Sequence, residues 1–229
     1  MTPPFAFELP TPSVAIAGDR NRFPVRRVWC VGRNYAEHAR EMGFSERELP
    51  FFFAKPADAL VPGGGRVRVP PRTQNLQHEV ELIVAIGRPG AGIAAAAAVG
   101  LVFGYAVGLD MTRRDLQLQL REQKRPWEMA KAFDQSAPIG EIHRIEETGP
   151  IERGEIWLDV NGERRQHSDL AKLIWSVPEI IANLSEYVAL APGDLIFTGT
   201  PEGVGRVQAG DVLHGGIAGI GELRVELTA

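Results

Sequence analysis

Two acidic residues open a strand that is otherwise entirely apolar, and few folds can accommodate them. Glu79-Val80-Glu81 runs directly into Leu82-Ile83-Val84-Ala85-Ile86 and stops at Gly87. The β-branched content and the terminating glycine predict a strand. An apolar run without polar alternation is the mark of a strand covered on both faces. Side chains two apart share a face, so Glu79 and Glu81 point the same way as Ile83 and Ala85. Two ionised carboxylates in such a place repel one another and lose hydration, which a bound cation would offset. The alternative is a strand end emerging into water, where acidic residues are ordinary. A second apolar run, Leu101 to Leu109, ends at Asp110, and strand ends open onto clefts. Glu79, Glu81 and Asp110, with no imidazole or thiolate beside them, suit a hard cation. Mg²⁺ comes first, with Mn²⁺ next and Ca²⁺ as a substitute; zinc and copper would want nitrogen or sulfur.

Composition narrows the class. The 229 residues suffice for one large domain or two small ones, and 44% hydrophobic with 24% charged residues is ordinary for a globular protein. A formal net charge of −4 argues against a nucleic-acid or anionic-membrane partner. Cys30 is the one cysteine; inside Val28-Trp29-Cys30-Val31 it reads as a buried structural thiol. No apolar stretch approaches the length of a membrane-spanning helix. The N-terminus lacks the basic and apolar segments of a signal peptide, so the expected location is cytoplasmic.

The order of elements is β-rich. Residues 1–24, punctuated by proline, read as an irregular N-terminal arm laid on the surface, and 25–229 as a single catalytic domain. Strands are expected at 26–31, 51–54, 155–160, 194–198 and 222–227, with a short helix near 34–43 and a mobile loop at 44–50. Pro62-Gly63-Gly64-Gly65 is a turn; it lacks the lysine and following helix of a phosphate loop. An alanine-rich helix is expected at 94–99, and Asn161-Gly162 signals a hairpin. Thr112 with Asp115, and Ser176 with Glu179, have the spacing of capping boxes, the first opening a helix through about Lys124. Ile180, Ile181, Leu184 and Tyr187 recur at helical spacing and predict a core-packed face.

Further residue types suggest chemistry. His38 and Glu41, three apart, would meet on one helix face, where a carboxylate raises imidazole basicity. A solvated surface ion pair accounts for the same spacing. Lys131, among aromatic and apolar neighbours, could face an anion or extend to water. Thr198-Gly199-Thr200-Pro201 ends an apolar strand with hydroxyl and N–H donors, as does many a simple turn.

Together these segments resemble the fumarylacetoacetate hydrolase family, in its short acylpyruvate and fumarylpyruvate hydrolase branch. The likeness is carried by Val31-Gly32-Arg33-Asn34-Tyr35 with His38 and Glu41, Phe53 to Pro56, and His78-Glu79-Val80-Glu81-Leu82. It continues through Gly104-Tyr105, Gly108 to Thr112, Arg114-Asp115, Lys131-Ala132-Phe133-Asp134 and Gly193 to Pro201. The resemblance implies an α+β, β-rich fold: a mixed β-sandwich roll of the fumarylacetoacetate hydrolase C-terminal type with a few short helices, assembled as a homodimer. It implies Mg²⁺ or Mn²⁺ on Glu79, Glu81 and Asp110, and a His38–Glu41 dyad that activates water on a segment ordering over substrate. Lys131, Arg114, Gln117 and Thr200 would contact the carboxylate and oxo groups of a small-molecule 2,4-diketo acid. The implied reaction is hydrolysis of a carbon–carbon bond, giving pyruvate and a carboxylic acid, with fumarylpyruvate the foremost substrate. Oxaloacetate decarboxylation or tautomerisation, and isomerisation of aromatic-degradation intermediates, occur on similar scaffolds. A catalytically silent metal-stabilised domain is the reading from outside enzymology.

Overall fold

The apolar run after Glu81 is the centre of the molecule. In a computed structural model that describes residues 5–36 and 48–229, all seven residues of the strand Val80–Ile86 are buried. Its even-numbered side chains, Val80, Leu82 and Val84, join one hydrophobic cluster, while Ile83 and Ala85 join another on the opposite face. That division is the physical reason the run shows no polar alternation.

The strand lies inside an eight-stranded mixed sheet. Its order is Phe51–Lys55, Arg27–Gly32, Asp194–Phe197, Val80–Ile86, Val102–Leu109, Ala137–Ile139 and Leu60–Pro62, with His143–Arg144 paired onto Val102–Leu109. Two pairings are parallel, Asp194–Phe197 with Arg27–Gly32 and Ala137–Ile139 with Leu60–Pro62. A second, five-stranded sheet runs Glu163–Asp169, Glu155–Val160, Val212–Ile217, Gly221–Thr228 and Gly65–Arg68. Ile156, Leu158, Leu213 and Val225 of this sheet fill the larger cluster against Val80, Leu82 and Val84. The expected β-rich sandwich is therefore present. No helix among the described residues is long and apolar enough to cross a membrane.

Several local expectations hold. Asn161 and Gly162, at φ 54° and 81°, turn the hairpin between Glu155–Val160 and Glu163–Asp169. The helix Val177–Tyr187 begins with Pro178 in its first turn, and the Glu179 carboxylate accepts from the Ser176 N–H and hydroxyl. Others are corrected. Residues 13–24 are not an irregular surface arm: Ser13–Ala15 and Arg22–Pro24 pair, and Val14, Ile16 and Phe23 enter the second cluster. Apolar positions between prolines suffice for that burial. Thr112 caps no helix; it lies in the short strand Thr112–Arg113 and donates to the Asp110 carbonyl. The helix Arg114–Glu122 starts after it, and Asp115 accepts instead from Thr73 and Gln74. Tyr187 is exposed, its ring 6.3 Å from that of Phe52 between centroids. The helix expected at 34–43 lies mostly outside the described residues.

A small three-stranded sheet, Thr112–Arg113, Leu76–Gln77 and Arg206–Val207, gathers the segments flanking Glu79, Asp110 and Thr200. The loop joining Thr200 to Arg206 is pinned by Gly203. A Cβ there would sit 2.1 Å from the Arg165 carbonyl oxygen, and φ is +88°. Gly63 is also left-handed, at φ +78°, but a Cβ would meet nothing within 4 Å. Gly63→Ala should thus incur only the conformational cost of about 1–2 kcal/mol. Gly203→Ala adds a backbone clash and should lower Tm at least twice as far. Equal melting shifts for the two variants would show that the loop is not packed in this way.

Candidate active site

The two acidic segments meet because their strands are neighbours. Val80 pairs with Leu109 and Glu81 with Gly108, and one step further the Asp110 N–H donates to the Glu79 carbonyl at 2.8 Å. Glu79 precedes the strand proper but keeps the face shared by Glu81, Ile83 and Ala85. One carboxylate oxygen from each of Glu79, Glu81 and Asp110 lies within 4.8 Å of the others, and all three residues are buried.

Such a cluster stands only if its charge is balanced. Lys131 Nζ donates to Glu79 Oε2 at 2.7 Å and to Asp110 Oδ2 at 2.8 Å. Lys55 Nζ lies 2.8 Å from Asp110 Oδ1 without hydrogen-bond alignment, and its proton donors reach the carbonyls of Lys131 and Met111. Arg114 pairs with Glu79 and also donates to Gln117 Oε1 at 2.6 Å and Gln77 Oε1 at 2.7 Å. Burial opposes the charge on Lys131, but Asp110 and Glu79 outweigh it and hold its pKa above the usual lysine value. Glu81 differs: among the described residues no cation lies at hydrogen-bonding distance, and the Gly199 N–H donates to its Oε2 at 2.8 Å. Burial, reinforced by repulsion from Asp110 and Glu79, pushes the Glu81 carboxyl well above its ordinary pKa. Gly199 makes that contact from φ +99°, packed so closely that a Cβ would lie 2.7 Å from the Asn34 Cβ.

Above the carboxylates is a cleft of about 520 Å³, part of it open to solvent. Phe51, Phe53 and Trp127 form an aromatic wall, with Phe51 and Trp127 edge-to-face at 5.3 Å. Arg114, Gln117, Lys131 and Thr200 line it, and Arg33 and Arg121 complete it. Every expected metal and substrate residue thus converges on one place. The expected dyad, His38 and Glu41, falls outside the described residues.

Three contributors were not anticipated. Lys55 ends the strand Phe51–Lys55; the alternation Phe51, Phe53, Lys55 on one face was a usable signal. Asn34 is fully buried and clamps three segments: its Nδ2 donates to the Trp175 and Thr198 carbonyls, and its Oδ1 accepts from the Trp175 N–H. Gln166 is fully buried between Val80 and Thr200. Cys30 behaves as expected, its thiol pushed up by burial and by Asp110.

An oxygen-only donor set fits a hard divalent cation. Two observations strengthen the fit: Asp110 Oδ1 is buried beside Lys55 with no aligned hydrogen bond, and among the described residues no cation lies at hydrogen-bonding distance from Glu81. Such an ion would be held by Glu79, Glu81 and Asp110.

Comparison with known proteins places this geometry in context. Residues 27–228 match the family described as Fumarylacetoacetate (FAA) hydrolase C-terminal. The chain is 49% identical over 176 residues to a fumarylpyruvate hydrolase of Ralstonia sp, covering 77% of this chain and 91% of that protein. It is 41% identical over 211 residues to the mitochondrial oxaloacetate tautomerase FAHD1 of Rattus norvegicus, covering 89% and 96%. The crystal structure of fumarylpyruvate hydrolase from Pseudomonas aeruginosa, in complex with Mn²⁺ and pyruvate, superposes with a TM-score of 0.96 at 52% identity. That match covers 98% of this chain and 99% of the other.

The raised Glu81 pKa has a signed consequence. The metal-free fold holds this proton more tightly than the unfolded chain does. The stabilisation is therefore complete below the unfolded value, near 4.3, and is lost as pH rises through the higher folded value. Glu81→Gln removes the charge, so the metal-free variant should melt above the parent at pH 7 by about 1–3 kcal/mol in stability. The gain should vanish toward pH 4. Mn²⁺ should raise the parent's Tm and leave the variant's unchanged; an equal Mn²⁺ shift in both would refute the ligand assignment.

Proposed function

The chain belongs to the fumarylacetoacetate hydrolase family, and on that premise we propose that it is a divalent-metal-dependent hydrolase of acylpyruvates, with fumarylpyruvate the foremost substrate. The observation that carries the reading is the cluster of three buried carboxylates opening into a cleft whose remaining polar groups are donors. Lys55, Lys131 and Arg114 pair with Glu79 and Asp110 and equal in number the three carboxylates of the cluster. A bound divalent ion would leave the cleft positive, and Arg33 and Arg121 add to that field. A dianionic diketo acid suits such a place. Likeness to fumarylpyruvate hydrolases at 49% and 52% identity supports the same substrate class.

The bound ion, Mg²⁺ or Mn²⁺ with Ca²⁺ as a substitute, supplies Lewis-acid polarisation of the 2-oxo acid. The protein's own groups do the rest. Arg114, Gln117 and Thr200 orient the carboxylate and oxo groups, and the aromatic wall excludes water from one side. His38, held by Glu41, removes a proton from water, and the resulting hydroxide attacks the distal C4 carbonyl. The C3–C4 bond breaks, its electron pair passing to the pyruvate enolate, and the acyl group leaves as a carboxylate. Lys131 balances the charge that develops on the enolate oxygen, and protonation at C3 completes pyruvate. The homodimer belongs to this proposal through the family likeness.

A second reading is keto–enol tautomerisation of oxaloacetate, favoured by the 41% identity to the rat tautomerase over 211 residues. Steady-state assays separate the two. Pyruvate release from fumarylpyruvate should exceed that from acetylpyruvate, stop with EDTA and return with Mn²⁺. Oxaloacetate tautomerisation without cleavage of any acylpyruvate would decide for the second reading. His38→Ala should lower hydrolysis about 10²–10⁴-fold and keep the Mn²⁺-induced rise in Tm; near-parent turnover would remove the dyad from the mechanism.

A further inference from the structure

Hydrogen-bond polarity around Gln166 is fixed by the backbone at both ends of its amide. Its Oε1 accepts from the Val80 N–H at 3.1 Å, and its Nε2 donates to the Pro201 carbonyl at 2.9 Å. A backbone N–H only donates and a carbonyl only accepts, so the amide cannot be turned round. His78 Nδ1, 2.8 Å from the same Oε1, therefore carries a proton toward it. The second Nε2 proton goes to Thr200 Oγ at 2.8 Å, so Thr200 is the acceptor there. The hydroxyl proton of Thr200 must point elsewhere. No described residue takes it, and Thr200 lines the cleft beside Glu81, Gln117 and Lys131.

The surroundings hold this arrangement rigid. Gln166 is fully buried and Thr200 is nearly so. Gly203 seats the loop after Thr200 against the Arg165 carbonyl, and Arg206–Val207 pairs with Leu76–Gln77 just before His78. Val80, the donor to Gln166, lies between Glu79 and Glu81 in the chain.

We infer that Gln166 is a positioning residue: its amide occupies the acceptor side of the Thr200 hydroxyl, so that this hydroxyl is presented to the cleft as a donor for the carboxylate of a bound 2-oxo acid. The assignment rests on the proposed oxo-acid function. It also ties the donor to the carboxylate strand, because one side chain bonds both Val80 and Thr200.

The test is a double-mutant cycle on the Mn²⁺-loaded full chain, read by calorimetric binding of pyruvate and by KM and kcat on fumarylpyruvate. Thr200→Val should weaken pyruvate about tenfold, the size of one hydrogen bond to a charged group. Gln166→Met should weaken it three- to tenfold, with the loss falling mainly on KM, and the double variant should match Thr200→Val alone. Thr200→Ser should restore binding only when Gln166 is present. Unchanged affinity in Gln166→Met, or losses that multiply in the double variant, would overturn the assignment. Should Gln166→Met fail to fold, Gln166→Glu keeps an oxygen for Val80 and turns the Thr200 proton inward; parent-like affinity there would overturn it equally. A parent that neither binds pyruvate nor turns over any oxo-acid overturns the functional reading itself. An effect of Thr200→Val beside an inert Gln166→Met overturns the positioning role alone.

Discussion

Burying three carboxylates together is the constraint around which the rest of this protein is arranged. Each ion taken from water into the interior incurs several kcal/mol unless it is paired and hydrogen-bonded. Lys55, Lys131 and Arg114 are buried along with the carboxylates they face. These cations cannot be regarded as decoration on a preformed pocket. Removing one partner would strand a buried charge, so the same side chains hold the fold's centre and the candidate site together. Glu81 is the residual imbalance. One backbone N–H from Gly199 is a weaker compensation than a cation, and burial, reinforced by Asp110 and Glu79, holds the Glu81 carboxyl well above its ordinary pKa.

Much of this was legible from the chain because the signals are local. An apolar run without alternation announced a strand covered twice, and the odd-numbered face of that strand carries both glutamates. Asp110 ended the neighbouring run, and antiparallel pairing brings one strand's start beside the other's end. Thr112 misled because a threonine three residues before an acid satisfies a capping box only if the backbone turns there; here the strand continues to Arg113. The first residues misled because proline spacing conceals the apolar side chains, Val14, Ile16 and Phe23, that anchor them.

What local pattern could not reveal is long-range hydrogen bonding. Gln166 lies in a strand of largely exposed polar residues, and nothing in Glu163–Asp169 marks it as buried. Its partners lie 86 residues before it and 34 after it. Asn34 is similar, since its bonds reach 141 and 164 residues along the chain. Lys55 was nearer to legibility, for a lysine in phase with Phe51 and Phe53 either faces an anion or carries a buried charge alone.

The relation to both hydrolases and tautomerases has a physical basis in what the described cleft reads. Cleavage of an acylpyruvate and tautomerisation of oxaloacetate each pass through an enolate of a 2-oxo acid. Lys131, Arg114, Gln117 and Thr200 present cationic and donor groups to the cleft, and on the proposed function these would serve either enolate equally. A shell of that kind would not by itself choose the reaction. Hydrolysis needs one thing tautomerisation does not: a water molecule deprotonated next to the distal carbonyl. The choice accordingly falls to groups outside the shared shell. These are a base that can reach water, the role given to His38 with Glu41, and the Arg33 and Arg121 side of the cleft, where a longer acyl chain with its own carboxylate would extend beyond the reach of a four-carbon oxo-acid.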